Sequence, residues 1–242
     1  MVPDKHLIIG AGEIGQSLFK VLRKGHDVSI RDKEGKPGRY DVLHICFPFT
    51  KNFIKHCLKY EKMYEPYLII VHSTVMVGAT RRLGEKYVHS PIRGTHPRLE
   101  KSIMSFTKYF GGMDDERVKF AMSIFKKVDV PVYKVSVPEE SEMLKLISTT
   151  QFGWNIIFNK LVKDLCTSYG LSFEIVYGHE TKTYNNGYRK LKQEQFIKQN
   201  LDYMVGPIGG HCVMPNCDLL ESEMTRVIKR YNKRYEDTLL QT

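Results

Sequence analysis

Gly10, Gly12 and Gly15 in "IIGAGEIGQSL" are spaced as G-x-G-x-x-G, directly after an apolar β-branched run and at the opening of a helix-like stretch. In that setting the first glycine permits a tight turn, the second lets the backbone approach a pyrophosphate, and the third lets helix and strand pack closely. The amides of Glu13, Ile14 and Gly15 then open a helix N-terminus, whose N–H groups hold phosphate oxygens. Asp32 closes the next apolar run, 17 residues after Gly15, where a carboxylate accepts hydrogen bonds from an adenosine ribose. The same carboxylate repels a 2′-phosphate, so NAD is expected rather than NADP. Arg31 and Lys33 beside it soften that preference.

A second stretch, "GPIGGHCVMPNC" at 206–217, places three glycines, His211, Cys212 and Cys217 close together. A metal site, half of a disulfide, a tight turn and a reactive thiol all compete for it. His211, Cys212 and Cys217 supply only three ligands at a spacing unlike a zinc knuckle, so no metal is expected. The five cysteines are odd in number and scattered. The N-terminus shows no secretory h-region, so reduced thiols and a cytoplasmic location are expected. The turn and the thiol remain. A solitary cysteine is commonly a small buried hydrophobe, whereas the glycines ahead of Cys212 leave room for a substrate and a cofactor to reach the sulfur.

The elements that must position these residues follow from the hydrophobic pattern. "HLIIG", "DVSIRD", "DVLHICFP", "YLIIVHST", "KYFGG" and "VPVYKV" read as strands, with "EIGQSLFKVLRKG", "KNFIKHCLKYEK" and "DDERVKFAMSIFKKV" as helices between them. Such alternation implies an α/β fold, a Rossmann doubly wound and mostly parallel sheet. From Glu139 to Gly170 a single long helical pattern carries apolar residues on more than one stripe, which implies burial inside a helical domain or against a second subunit. Further helices are expected at about 172–185 and 218–238. The boundary is expected near Pro138, giving a NAD-binding domain over 1–137 and an all-helical substrate and dimerisation domain over 138–242.

A net charge of +10 favours an anionic partner. No run of basic residues marks a nucleic-acid stripe, and no stretch reaches the roughly 20 apolar residues that span a bilayer. The expected partners are therefore an anionic small molecule and a second copy of the chain through the 139–170 helix.

Four segments together resemble the UDP-glucose/GDP-mannose dehydrogenase family of nucleotide-sugar 6-dehydrogenases, within the 6-phosphogluconate-dehydrogenase-like group. "ICFPFT" (45–50) is similar to the family's strand-end segment, which implies that Phe47 and Pro48 line the cofactor. "HSTVMVGATRRL" (72–83) is similar to its Ser-Thr-Val-Pro-Val-Gly-Thr segment, which implies the same of Ser73 and Thr74. "SEMLKLISTTQFGWNIIFN" (141–159) resembles the helix in which Glu-Met-x-Lys-Leu is followed ten residues after the lysine by Asn-Ile. "GPIGGHCVMPNCDLL" (206–220) resembles the segment with the catalytic cysteine.

The resemblance implies a thiol nucleophile at Cys212, an oxyanion-stabilising lysine at Lys145 and a water-positioning hydroxyl at Thr74. The chemistry has its own logic. To carry an alcohol through to a carboxylate, an enzyme must hold the intermediate aldehyde and make it a hydride donor again. A thiolate does so by adding to the aldehyde carbon, and oxidation of the adduct leaves a thioester that water hydrolyses. Three family positions differ: Thr149 stands where an oxyanion-binding asparagine is normal, Asn216 where an aspartate is normal, and Arg93 where a glutamate is normal. Asn216 cannot act as a base. The third domain that completes the family's nucleotide-sugar site is expected to be missing. The expected function is NAD-dependent oxidation of an alcohol on a sugar-type anionic substrate, possible in nucleotide-sugar form. The alternatives are a two-electron 6-phosphogluconate or 3-hydroxyacid type of dehydrogenase using Lys145, and a catalytically degenerate NAD or sugar-nucleotide binding protein.

Overall fold

The computed structural model describes residues 5–32, 38–95, 97, 99–210 and 212–239. The chain groups into two compact units, Met1–Leu146 and Ile147–Thr242. In the first, strands β1 (Lys5–Ile9), β2 (Asp27–Arg31), β3 (Val42–Ile45), β4 (Leu68–Val71), β5 (Tyr87–His89), β6 (Lys108–Gly112) and β7 (Val132–Lys134) form one sheet in the order β2-β1-β3-β4-β5-β6-β7. All neighbours are parallel except β5 and β6, which run antiparallel. This is the expected Rossmann-type sheet. The strand β5, which the sequence reading passed over, is only three residues long and too short for a period to register.

Alternating side chains feed two cores. Ile8, Val42, Leu68, Ile70 and Val88 face one way and pack against helices α1 (Glu13–Leu22) and α5 (Asp115–Lys126). Leu7, Ile9, Leu43, Ile45, Ile69 and Val71 face the other way, toward α2 (Phe53–Tyr64) and α3 (Ala79–Leu83). The β3 and β4 residues are buried on both faces, which is why these strands read as continuous apolar runs. Two further short helices, α3 and α4 (Leu99–Ser105), were not anticipated; at five and seven residues neither offers two full turns of periodicity.

One core departs from apolar packing. His6, His44 and His72 are all buried on the α1/α5 face, and so is Lys108. The imidazoles bond in line: His6 Nδ1 lies 2.9 Å from His44 Nε2, and His44 Nδ1 lies 2.9 Å from His72 Nε2. The Lys108 ammonium nitrogen is 3.2 Å from His72 Nδ1 and 2.6 Å from the Ser90 carbonyl oxygen. Unpaired, each such group would cost roughly 1–3 kcal/mol in a core, so the bonding makes the arrangement tolerable.

The helix α6 spans Pro138–Ser168, and the division between the units falls inside it. The second unit is helical: the remainder of α6, a π-helical turn at Glu174–His179, α7 (Glu180–Lys190), a 3₁₀ turn at Glu194–Phe196, α8 (Val213–Leu219) and α9 (Glu223–Leu239). The helix expected over 218–238 is two helices. Ser222 breaks it by accepting at Oγ from the Thr225 amide while Thr225 Oγ1 accepts from the Ser222 amide, a reciprocal cap of the capping-box kind. Gly153 lets α8 approach α6, because a Cβ there would stand 2.6 Å from Val213 Cγ1.

Burial pushes the Lys108 ammonium down to about 7, with Lys145 also lowering it and Cys46 opposing. The unfolded chain therefore holds a proton that the folded chain releases, and stability rises with pH through this window. Above about pH 9 the buried Cys46 and Cys57 thiols, both pushed up to about 12 by burial, work in the opposite sense. Between about pH 7 and about pH 8.5, denaturant unfolding should show stability increasing. Lys108→Met should remove a slope of up to about 1.4 kcal/mol per pH unit, and an unchanged slope would contradict the assignment.

Candidate active site

In the first unit the chain switches direction across the sheet at β1, with β2 on one side and β3 on the other. Ligands of open α/β sheets bind beyond the strand carboxyl ends at such a point. Gly10 follows β1 with φ +108°, and a Cβ there would lie 2.9 Å from the Cys46 carbonyl carbon. A Cβ on Gly15 would lie 1.9 Å from Gly10 O, so both glycines are fixed by the protein itself. Gly12 is different. It caps α1 with φ −69° and no side-chain cap, and a Cβ there would meet nothing within 4 Å.

The space beside Gly12 is thus left open on the outside of the turn, where a dinucleotide pyrophosphate fits. Glu13 is exposed in the first turn of α1, Ile14 packs against the core, and Asp32 is exposed at the end of β2. The residues fit NAD on this observation. Lys33 lies outside the described residues.

At the neighbouring strand ends the Phe47 ring packs on Phe53, His56 and Tyr60, and Pro48 is exposed. Ser73 Oγ donates to Phe47 O at 2.6 Å, so this hydroxyl ties the ends of β3 and β4 together. Thr74 beside it is half-buried. Glu142, which the sequence reading quoted but gave no role, holds the loop that follows. Its carboxylate accepts from the Gly78 amide at 2.5 Å and the Thr80 amide at 2.7 Å, capping α3 from α6. Burial pushes this carboxyl up, and the bonds to Thr80 and Gly78 oppose it.

Lys145 is half-buried three residues further along α6. Burial first, then the charges of Lys108 and Lys145, lower His89 to about 3, and Lys145 adds to the burial that lowers Lys108. The His89 tautomer follows from its partners. Nε2 lies 3.1 Å from the Ser73 carbonyl oxygen, which can only accept. Nδ1 then faces Ser141 Oγ at 2.7 Å as an acceptor, sharing that hydroxyl proton with the Pro138 carbonyl oxygen, also at 2.7 Å. Gly111 makes room for this contact, since a Cβ there would stand 2.9 Å from Ser141 Oγ. Glu142, Ser141 and His89 together set the position of the α6 turn that carries Lys145 and of the strand end that carries Thr74.

In the second unit Cys212 is exposed and caps α8, while Cys166 and Cys217 are buried; in the first, Cys57 is buried and Cys46 half-buried. Gly206 and Gly210 adopt φ +79°, and a Cβ on Gly209 or Gly210 would meet nothing within 4 Å. The segment is held from behind. Asn159 Nδ2 donates to Leu201 O at 2.8 Å, Lys160 Nζ donates to Met204 O and Gly206 O at 2.5 Å each, and the Ile208 amide donates to Asn232 Oδ1 at 2.5 Å. His211 lies outside the described residues.

Thr149 and Asn216 meet each other: Asn216 Nδ2 donates to Thr149 Oγ1 at 3.1 Å. No group of three or more His, Cys, Asp or Glu that could hold a metal occurs among the described residues.

No protein-family model and no curated protein matches the sequence. Solved structures do match. The UDP-D-ManNAc dehydrogenase of Pyrococcus horikoshii aligns at a TM-score of 0.73 and 16% identity, over 95% of this chain and 68% of that one. The UDP-glucose dehydrogenase of Pyrobaculum islandicum gives 0.73 and 16%, over 96% and 68%. The chain shares their fold. A 3-hydroxyisobutyrate dehydrogenase of Mycobacterium tuberculosis aligns at 0.71 and 14% identity, over 96% of this chain and 93% of that one. The chain therefore spans about two thirds of the two sugar-nucleotide enzymes and nearly all of the hydroxyacid enzyme.

The thiol environments separate the cysteines. Under limiting iodoacetamide at neutral pH, peptide mapping should find Cys212 alkylated first, because burial withholds Cys57, Cys166 and Cys217 from the reagent; equal labelling of Cys57 would contradict this. Glu142→Ala leaves two amides of the Gly78–Thr80 turn without their acceptor and should lower unfolding stability by roughly 1–3 kcal/mol, measured from the denaturant midpoint.

Proposed function

We propose that this protein is an NAD-dependent dehydrogenase acting on a CH–OH group of an anionic, sugar-type substrate. The observation that carries the reading is the exposed Cys212 beside the open backbone of Gly209 and Gly210, in a chain whose Gly12 leaves room for a dinucleotide. The solved structures of similar fold support it, being dehydrogenases by name. Bound NAD supplies the hydride acceptor. The Lys145 ammonium faces the developing alkoxide and later oxyanion and steadies their charge as the hydroxyl proton passes to water. The Cys212 thiolate adds to the aldehyde carbon to give a thiohemiacetal, whose hydride passes to a second NAD to leave a thioester; water held at the Thr74 hydroxyl hydrolyses it, freeing the thiol. The net charge of +10 draws an anionic substrate, and a nucleotide sugar is the favoured class. The cytoplasm is the proposed location.

One observation favours a second reading. Asn216 gives the site an amide where a carboxylate would assist thiol or water activation, and that amide is engaged by Thr149. A two-electron oxidation on Lys145 alone then suffices, as in hydroxyacid dehydrogenases, with Cys212 incidental. Binding of NAD or a sugar nucleotide without turnover remains the reading if neither residue matters to any activity.

We also propose a homodimer through α6. Ile147, Trp154, Phe158 and Leu165 are 39%, 44%, 54% and 58% exposed. Steps of seven, four and seven residues place them within roughly 20° of one line along the helix. Such a stripe is wide enough to seat a second copy.

In a screen of UDP-sugars and hydroxy acids, four-electron chemistry yields two NADH per substrate and is lost in both Cys212→Ala and Lys145→Ala. One NADH, with loss in the lysine variant alone, selects the second reading. By light scattering the chain should run as a dimer, and Trp154→Lys with Phe158→Lys should run as a monomer; a wild-type monomer would contradict the α6 interface.

A further inference from the structure

The line of buried imidazoles in the first unit has no place in the dehydrogenase reading, and it has an unusual property. His44 and His72 each bond at both ring nitrogens, and His6 bonds at Nδ1, so in each neutral inner ring one nitrogen must donate and the other accept. The choice made by one ring is therefore forced on the next. When His72 Nδ1 carries its proton it donates to the Ser90 carbonyl at 2.9 Å. His72 Nε2 then accepts from His44 Nδ1, and His44 Nε2 accepts from His6 Nδ1. All three rings are Nδ1–H, and Lys108 is the neutral amine.

When Lys108 is an ammonium it has three protons and three acceptors: His72 Nδ1 at 3.2 Å, Ser90 O at 2.6 Å and Pro91 O at 3.5 Å. His72 must now carry its proton on Nε2 and pass it to His44 Nδ1, and His44 passes its own to His6 Nδ1. All three rings become Nε2–H. The two arrangements use the same heavy-atom contacts. They differ by one proton moved from Lys108 into His72 Nδ1, from His72 Nε2 into His44 Nδ1 and from His44 Nε2 into His6 Nδ1, with the His6 Nε2 proton given up to bulk water.

We propose that His6, His44, His72 and Lys108 form a reversible proton relay across the sheet, coupling the charge of Lys108 to the far end of the chain at His6. Its ends lie at opposite edges. The β5–β6 register places Lys108 level with Ile92, beyond the carboxyl end of β5, on the edge where α/β sheets bind ligands. His6 stands near the amino end of β1. There the half-buried His26 ring lies 4.6 Å from it between centroids and bonds the Ile124 carbonyl oxygen through Nε2.

The surroundings suit a relay. Phe125 of α5 packs edge-on against His44 and His72, and Lys108 lies over the Phe110 and Phe125 rings. The charged and titratable groups that reach the chain are Cys46 from the end of β3, His26 ahead of β2, His89 of β5 and Lys145 of α6. Burial first, then these neighbours, push His44 and His72 well below the usual imidazole range. Both rings are therefore neutral, the state in which an imidazole both donates and accepts. The rings bond one another in file and do not converge on a point, so the arrangement is not that of a metal site. An oxidation of CH–OH releases a proton at the carboxyl edge, which Lys108 could take up, but the relay does not depend on that reading.

Long-range ¹H–¹⁵N spectra of the labelled protein report each imidazole tautomer, and lysine ¹⁵N shifts report Lys108. Across pH 6 to 9 the three rings should stay neutral and change together from Nε2–H to Nδ1–H, at the midpoint of Lys108. Mixed tautomers, or tautomers fixed while Lys108 titrates, would overturn the relay. Lys108→Met should hold all three rings as Nδ1–H at every pH, and a pH-dependent change that persists in it would also overturn the proposal. His44→Gln keeps a donor and an acceptor but cannot exchange them. In that variant, once its circular dichroism matches the wild type, His6 should no longer follow Lys108. A His6 that still follows it contradicts the proposal.

Discussion

The contact between Gly15 and Gly10 is the constraint on which the first unit depends. With 1.9 Å between a hypothetical Gly15 Cβ and Gly10 O, no side chain fits, and α1 lies closer to β1 than any other residue would allow. The same turn puts Gly10 against the backbone of Cys46 and Phe47, fixing the end of β3 relative to that of β1. Phe47 O then receives the Ser73 hydroxyl, and Ser73 O receives His89. His89 receives Ser141 of α6. Steric necessity at one glycine pair is thus passed along the carboxyl edge of the sheet to the helix that carries Lys145.

The two faces of that sheet are built on different principles. The α2/α3 face packs mainly apolar side chains. The α1/α5 face threads three histidines and a lysine through an apolar cluster, which is tolerable only because each bonds its neighbour. Depressed affinities for protons follow from desolvation and leave the imidazoles neutral.

The alternating pattern made the Rossmann-type sheet legible, because long apolar strands and amphipathic helices carry strong periods. β5, α3, α4 and α8 were not legible, since at three to seven residues they are set by tertiary contacts. For the site, Gly10, Gly12, Gly15 and Asp32 stand where their spacing implied. Glu142 was within sight, three residues before Lys145, but its role as an acceptor for a turn 62 residues earlier is a long-range contact. The histidines offered a signal that went unread: "KHLII", "VLHI", "IIVH" and "YVH" each set a histidine in an apolar run. Charge parity along one strand does not disclose which rings meet across three.

In the second unit Thr149 and Asn216 bond one another. Both dehydrogenase readings share one requirement, a dinucleotide seated at Gly12. Gly12→Thr tests it most directly. Threonine is as good a helix cap as glycine, the backbone there is ordinary and the space is open, so the variant should fold with an unchanged melting midpoint. By isothermal titration calorimetry the wild type should bind NAD saturably and the variant should not. A wild type that binds no NAD, or a folded variant that binds it equally, would contradict the account.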